Sequence, residues 1–282
     1  MDYILIADAG SSKTDWSLIP ERDCSPFRFQ SNGINPAICS DEDIINTLTQ
    51  VKRNIEGKSI KYIYFFGAGC ATDRLKTKIS KALNNVFGIS NVFVESDLIG
   101  ASIALFGDAQ GIACILGTGS NTGLYSKGKI IKHIPPLGYI LGDEGSGVAL
   151  GKRLLNSIFK RQLPEIIIKK FEQEFNLSVS EILNVVYCKT NPSQFIASFS
   201  PFLLNNIDTF EVKELVRTEF ENFFTKNILP YGDLSSYKIG IVGSIGYNYQ
   251  EIIKEIAKQN ELEISLIIKK PITYLEKYYS ER

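Results

Sequence analysis

No CxxC pair occurs in the chain, and its five cysteines, at positions 24, 39, 70, 114 and 188, are scattered and odd in number. Neither a disulfide framework nor a zinc site is indicated. Reduced, mostly buried thiols in a cytoplasmic protein fit best. No stretch approaches the roughly 18 apolar residues that a membrane-spanning helix needs. The opening MDYILIADAG has neither a basic region nor a long apolar core, which counts against secretion. An excess of either charge is also missing, with 31 basic and 31 acidic residues. There is then no electrostatic reason to expect nucleic acid or an anionic membrane as partner. No GxxxxGK[ST] string is present, which excludes a P-loop, and no GxGxxG follows a strand at dinucleotide-binding spacing. The single histidine, His133, lies beside Pro135 and far in sequence from any glycine turn, and reads as a structural surface residue. With no convincing histidine or cysteine nucleophile, triad-type acyl transfer is disfavoured.

What the chain has is glycine in four turns, each after an apolar strand: Asp8–Lys13, Gly67–Gly69, Gly117–Gly123 and Gly243–Gly246. The densest is ILGTGSNTGLY, Ile115 to Tyr125, where three glycines alternate with hydroxyl and amide residues. Glycines at this density let backbone N–H groups approach a ligand, and consecutive N–H groups form a concave anion site. A plain hairpin turn is the simpler alternative for that stretch alone.

A length of 282 residues favours two domains. YILIA, a small-residue turn and DWSLI read as strand, turn, strand, with PFRFQ as a third strand. The pattern recurs from Ile112 to Ile134, with a hairpin turn at Lys127–Gly128, and marks an internal structural repeat. Between the repeats, a helix capped by Ser40, strand KYIYFFG, helix Asp73–Phe87, strand NVFVES and a helix from Asp97 alternate. Pro164 to Leu229 reads as helical, with phenylalanines facing a core. KIGIV, a helix from Tyr249, LEISLII and a short helix starting at Pro271 close the chain.

In open α/β sheets, ligands bind beyond the carboxyl ends of strands, so the glycine turns converge on one cleft. Carboxylates sit at those ends. Asp8 leaves the first strand, where a lone carboxylate suits a hydrated Mg²⁺ that keeps most of its waters. Asp97 stands where a strand meets a helix, and helix capping is its alternative role. Asp143 and Glu144, in GDEGSG, read most simply as acids favoured by a helix dipole.

Together these residues resemble the superfamily of actin, sugar kinases and heat-shock chaperone ATPases. Asp8-Ala-Gly-Ser-Ser-Lys13-Thr14 is similar to its first phosphate motif, Gly117-Thr-Gly-Ser-Asn121 to its second, and Gly243-Ser-Ile-Gly246 to its adenosine motif. GTGSN combined with GDEGSG resembles the BadF/BadG/BcrA/BcrD ATPase family, and within it the N-acetylglucosamine kinases, over nearly the whole chain. The resemblance implies an α/β fold of two ribonuclease-H-like (actin-like ATPase) domains around an interdomain ATP cleft. It implies an N-terminal domain of residues 1–105 plus 271–282. The C-terminal domain would be 106–270, with a helical insertion at 164–229. Asp8 would hold Mg²⁺ through water. Ser12, Lys13, Thr14, Thr118 and Gly119 would meet the phosphates of ATP, and Gly243 and Ser244 would border the adenosine. Asp97 would be the general base, and Asn35, Asn121 and Asp143 would hold the sugar. Two features depart from the family pattern. The first motif has less glycine, and Pro136-Leu137-Gly138 replaces the usual Gly-Trp-Gly, removing an aromatic sugar contact.

The expected activity is transfer of the γ-phosphoryl group of ATP to the 6-hydroxyl of N-acetylglucosamine in a cytoplasmic enzyme, with Mg²⁺ as cofactor. A homodimer is compatible with it, and nucleic-acid or membrane partners are not expected. No arginine or lysine lies in NGINPA, GTGSN or GDEGSG, which favours an uncharged sugar over an anionic one. Glucosamine is the alternative acceptor. An ATPase that activates a dehydratase or reductase would need closely spaced cluster cysteines, and a sugar-sensing repressor would need a basic DNA-binding segment.

Overall fold

The computed structural model describes residues 2–21, 25–188 and 191–282; Cys24 lies outside them. Strands β1 (Asp2–Ala9), β2 (Lys13–Pro20) and β3 (Phe27–Asn32) precede helix α1 (Asp41–Asn54). Then come β4 (Ser59–Gly67), α2 (Asp73–Phe87), β5 (Val92–Ser96) and α3 (Asp97–Phe106). Strands β6 (Gly111–Leu116), β7 (Ser120–Ser126) and β8 (Lys129–Ile134) follow. A helical region holds α4 (Gly138–Leu141), α5 (Gly147–Phe159), α6 (Glu165–Phe175), α7 (Val179–Cys188), α8 (Pro192–Ala197), α9 (Ser200–Asn205) and α10 (Phe210–Phe223). The chain ends with β9 (Lys238–Val242), α11 (Ser244–Asn248), α12 (Gln250–Gln259), β10 (Ile264–Ile268) and α13 (Ile272–Ser280).

Two compact units result. One comprises Met1–Ala109, Tyr125–Ile130 and Lys270–Arg282, and the other Gln110–Leu124 and Ile131–Lys269. The sheets have the orders β3-β2-β1-β4-β5 and β8-β7-β6-β9-β10, one arrangement used twice. In the first, β1 runs antiparallel to β2 and parallel to β4. In the second, β6 and β10 both run parallel to β9. The fold is α/β, built on two ribonuclease-H-like (actin-like ATPase) domains, and the repeat read from the two strand–turn–strand strings is real.

In the first unit, strand alternation sorts the side chains onto two faces. Leu5, Ala7, Trp16, Ile63 and Phe65 are buried in a cluster with Ile44, Leu48 and Val51 of α1 and Ile79 and Leu83 of α2. Helix α1 presents Ile44, Thr47, Leu48 and Val51 at i, i+3, i+4 and i+7. Its start is fixed by a capping box, in which Ser40 Oγ accepts from the Asp43 N–H and the Asp43 carboxylate accepts from the Ser40 N–H. Such a cap contributes about 1 kcal/mol. Asp8 has the opposite parity to Ala7. It lies on the other face, whose strands are packed by α3 and α13.

The second unit's core runs from β6 and β9 through α5 and α10. Of the phenylalanines read as core-facing, 171, 199, 220, 223 and 224 are buried, and 175 and 195 pack partly buried against them. Truncating a ring such as Phe171, 1% exposed, to alanine costs roughly 3–5 kcal/mol.

Candidate active site

In the first unit, β1 delivers Asp8 directly opposite Asp15 of β2. The Gly10 N–H donates to Lys13 O at 2.9 Å, closing a hairpin whose tip is Ser11–Ser12. Two carboxylates across a strand pair repel. Lys270 offsets this by pairing with Asp15 at 3.0 Å, and Gln30 also bonds Asp15. Burial, then Asp15, then Asp97 push Asp8 from an ordinary 3.8 up to about 7, against the pull of Lys270 and Lys13. A carboxylate held this unfavourably in its charged form gains from a cation. A single carboxylate in a negative neighbourhood fits a hydrated Mg²⁺ that keeps most of its waters. Among the described residues, no group of three or more His, Cys, Asp or Glu side chains is placed to hold a metal ion directly.

Asp97 opens α3, but the cap is Ser96, whose Oγ accepts from the Ile99 N–H at 3.4 Å. The Asp97 carboxylate accepts from the Leu98 N–H at 2.8 Å, and burial raises its pKa despite that bond. Ser12 and Lys13 are exposed on the hairpin. Thr14 is fully buried and its hydroxyl donates to Asn32 O at 3.2 Å. The Asn35 amide donates to Ser11 Oγ at 2.9 Å, while its Oδ1 accepts from the Ala37 N–H. The NGINPA loop is therefore tied to the first phosphate turn.

In the second unit, three separated strings come together. The Gly117 N–H bonds Gly119 O, and the first-turn N–H groups of α5 at Gly147 and Val148 donate to Gly117 O and Thr118 O at 2.8 and 3.0 Å. The GTGSN turn is thus seated on the helix that follows GDEGSG, with Thr118 exposed. Gly243 ends β9 with φ +125°, and a Cβ there would lie 2.2 Å from Leu116 O. Only glycine allows that approach. Ser244, beside it, is exposed.

Asp143 is 8% exposed, with φ +60°, and its Oδ1 accepts from the Ser120 N–H at 3.4 Å. A Cβ on Gly119 would stand 3.0 Å from Asp143 Oδ2. Burial raises the Asp143 pKa against the Ser120 N–H and Lys152. Neither acid of GDEGSG is in the first turn of α5, which starts at Gly147 with Ser146 as cap. Asp143 packs under the GTGSN turn, and Glu144 pairs with Lys226 at 3.0 Å and accepts from Asn227. The sequence reading passed over Glu219, and it read His133 as a surface residue, which it is, without its contact. Glu219, 4% exposed, accepts from the Gly145 N–H at 3.0 Å and pairs with Arg153. His133 Nε2 lies 2.8 Å from Asn121 Oδ1. For the first the signal is a glutamate at a core-face position of α10, in step with Val212, Val216, Phe220 and Phe223, where a charge needs a partner. For the second it is the Lys127–Gly128 turn, which folds β8 back beside β7.

The described cysteines are free; Cys70 and Cys114 are buried, Cys39 is half-buried and Cys188 is exposed. No helix among the described residues is long and apolar enough to cross a membrane.

No family model matches the chain, and no curated protein matches it. Solved structures do. A ROK family glucokinase from Streptomyces griseus, in complex with glucose and AMPPNP, has 12% identity and a TM-score of 0.61, with 98% of this chain and 97% of that one covered. A putative N-acetylglucosamine kinase from Chromobacterium violaceum has 16% identity and a TM-score of 0.77, with 98% of each chain covered. Both show likeness of fold. A putative N-acetylglucosamine kinase from Porphyromonas gingivalis has 38% identity and a TM-score of 0.94, with 99% of each chain covered. At that identity over essentially the whole length, the chain belongs to the family of the Porphyromonas gingivalis protein.

Proposed function

We propose that the protein is an ATP-dependent kinase of the BadF/BadG/BcrA/BcrD type, transferring the γ-phosphoryl group to the 6-hydroxyl of N-acetylglucosamine. The observation that carries this reading is the assembly of GTGSN, GDEGSG and GSIG into one set of contacts within the second unit. These strings are separated in sequence and meet where β6 and β9 end, with Asp143 buried against Gly119. The family membership supports the same reading.

Phosphoryl transfer is catalysed largely by positioning and charge neutralisation. Thr118 and Gly119 take the ATP phosphates, with Ser12 and Lys13 of the hairpin, and Gly243 and Ser244 border the adenosine. Thr14, buried beneath the hairpin, acts by holding its shape through the Asn32 carbonyl. Mg²⁺, when bound, would neutralise phosphate charge, and Asp8 would hold it through water. Asp97 accepts the proton of the attacking hydroxyl, and its raised pKa suits a base that must also release that proton. Asn35 and Asn121 offer amides to a neutral polyol. Asp143 backs the turn that presents Asn121. A site built around amides and short of cations suits the acetamido sugar over an anionic one. The test is ADP release from Mg·ATP with hexoses, hexosamines and N-acetylhexosamines as acceptors. Release without any sugar dependence would refute the reading.

A further inference from the structure

We infer that His133 is a positioning residue for the sugar, its imidazole locking the Asn121 side chain so that the amide NH₂ faces the ligand. The inference rests on the reading of Asn121 as a sugar contact. His133 Nε2 and Asn121 Oδ1 are 2.8 Å apart. An amide oxygen only accepts, so Nε2 carries the proton and donates, which leaves Nδ1 bare in the neutral ring. His133 is exposed on β8, but partial desolvation lowers its pKa from the ordinary 6.5, which favours the neutral ring at physiological pH.

The consequence falls on Asn121 Nδ2. Among the described residues no protein group accepts from it, so both its N–H donors are free for a ligand. An unrestrained amide can turn over and present oxygen in place of NH₂. With Oδ1 held by His133, only the donor end is offered. The adjacent Ser120 N–H is held by Asp143 Oδ1 at 3.4 Å, so two successive residues at the start of β7 are fixed from different elements. A donor fixed before binding reduces the ordering cost when the sugar arrives. The matching ligand atom is an acceptor on an uncharged sugar, a hydroxyl oxygen or the acetamido carbonyl.

The chain has one histidine, so its imidazole nitrogens can be assigned in a ¹⁵N-labelled protein without ambiguity. The unliganded protein at neutral pH should show a protonated Nε2 and an unprotonated Nδ1. The opposite tautomer, or rapid averaging of the two, overturns the inference whatever the substrate is. In kinetics, His133→Phe should raise KM for N-acetylglucosamine about five- to tenfold, the effect of one lost orienting hydrogen bond. The KM for ATP and kcat should stay within about twofold, and His133→Gln, which keeps an N–H donor, should recover most of the loss. Unchanged sugar KM in a folded His133→Phe protein refutes the inference alone. A fall in kcat with both KM values shifted refutes it too, by pointing to general loosening. A wild-type protein that binds no N-acetylhexosamine in titration calorimetry refutes the sugar reading, and this inference falls with it.

Discussion

Replacing Asp97 with asparagine removes one proton acceptor while keeping the side chain's shape. The helix α3 is capped by Ser96, so its start does not depend on Asp97. The asparagine oxygen can still accept from the Leu98 N–H, now at 2.8 Å. Losing a negative charge from a first helical turn costs about 0.3–1 kcal/mol. Burial, the largest cause of the raised Asp97 pKa, works the other way, since the neutral amide escapes the penalty on the charged form. The net change in stability should be within about 1 kcal/mol. Catalysis should suffer far more, because a positioned base contributes about 10²–10⁴-fold, or roughly 3–5 kcal/mol of barrier. Coupled ADP-release assays should therefore show kcat falling on that scale, while titration calorimetry shows ATP binding retained. The pH profile gives a second check. The base works only when deprotonated, so wild-type activity is present above the raised pKa and lost below it. That acid limb should lie above the ordinary 3.8 of an aspartate. Near wild-type turnover in a folded Asp97→Asn protein would leave Asp97 a half-buried first-turn acid and nothing more.

Asp8→Asn should abolish the Mg²⁺ dependence of ATP binding and stabilise the metal-free protein. With a folded pKa near 7 against 3.8 unfolded, the native state keeps a proton the unfolded chain has lost. Wild-type stability then falls from about pH 4 to 7, and in thermal melts the variant's advantage should grow across that range and reach its full size, roughly 1–3 kcal/mol, above it. Gly119→Val should lose stability by roughly 1–3 kcal/mol as well as ATP binding, because the new Cβ meets Asp143 Oδ2 at 3.0 Å. Adding Asp143→Ala should recover the stability and not the ATP affinity; recovery of both would remove Gly119 from the phosphate site. Glu219→Ala leaves the Gly145 N–H and Arg153 without their buried partner. Arg153 is partly exposed and can be rehydrated, so the loss should be about 1–3 kcal/mol in urea unfolding, mostly from the unpaired Gly145 N–H, with a raised sugar KM; an unchanged midpoint would contradict the anchoring role.

Much of this was legible in the residues, and the reasons are local. YILIA and IACIL are short, β-branched and bounded by glycine turns, so they read as strands whatever surrounds them. Ser40 followed by Asp43 announces a capped helix, and the capping box forms. The repeat was visible because strand, tight turn and strand need the same residue types twice. What was not legible depends on distant partners. GDEGSG ahead of an apolar run looks like a helix start with favourable acids. Only the fold shows that Asp143 turns back, at φ +60°, beneath Gly119 some 24 positions earlier. His133 is on the surface as read, but its contact with Asn121 forms only because β8 lies alongside β7. Leu137, standing where an aromatic was expected, is 61% exposed at the cap of the short α4, with Ile140 and Leu141 also exposed. Its place in the chain gave no means of deciding that.

Competition between N-acetylglucosamine and glucosamine, followed by NMR of the phosphorylated product, tests the central claim most directly. A site that bonds the acetamido group leaves polar groups unpaired when the sugar lacks it. The account predicts a clear preference for N-acetylglucosamine in kcat/KM and phosphorus coupled to the protons at carbon 6. Equal or better use of glucosamine, or phosphate on the anomeric oxygen, would contradict it.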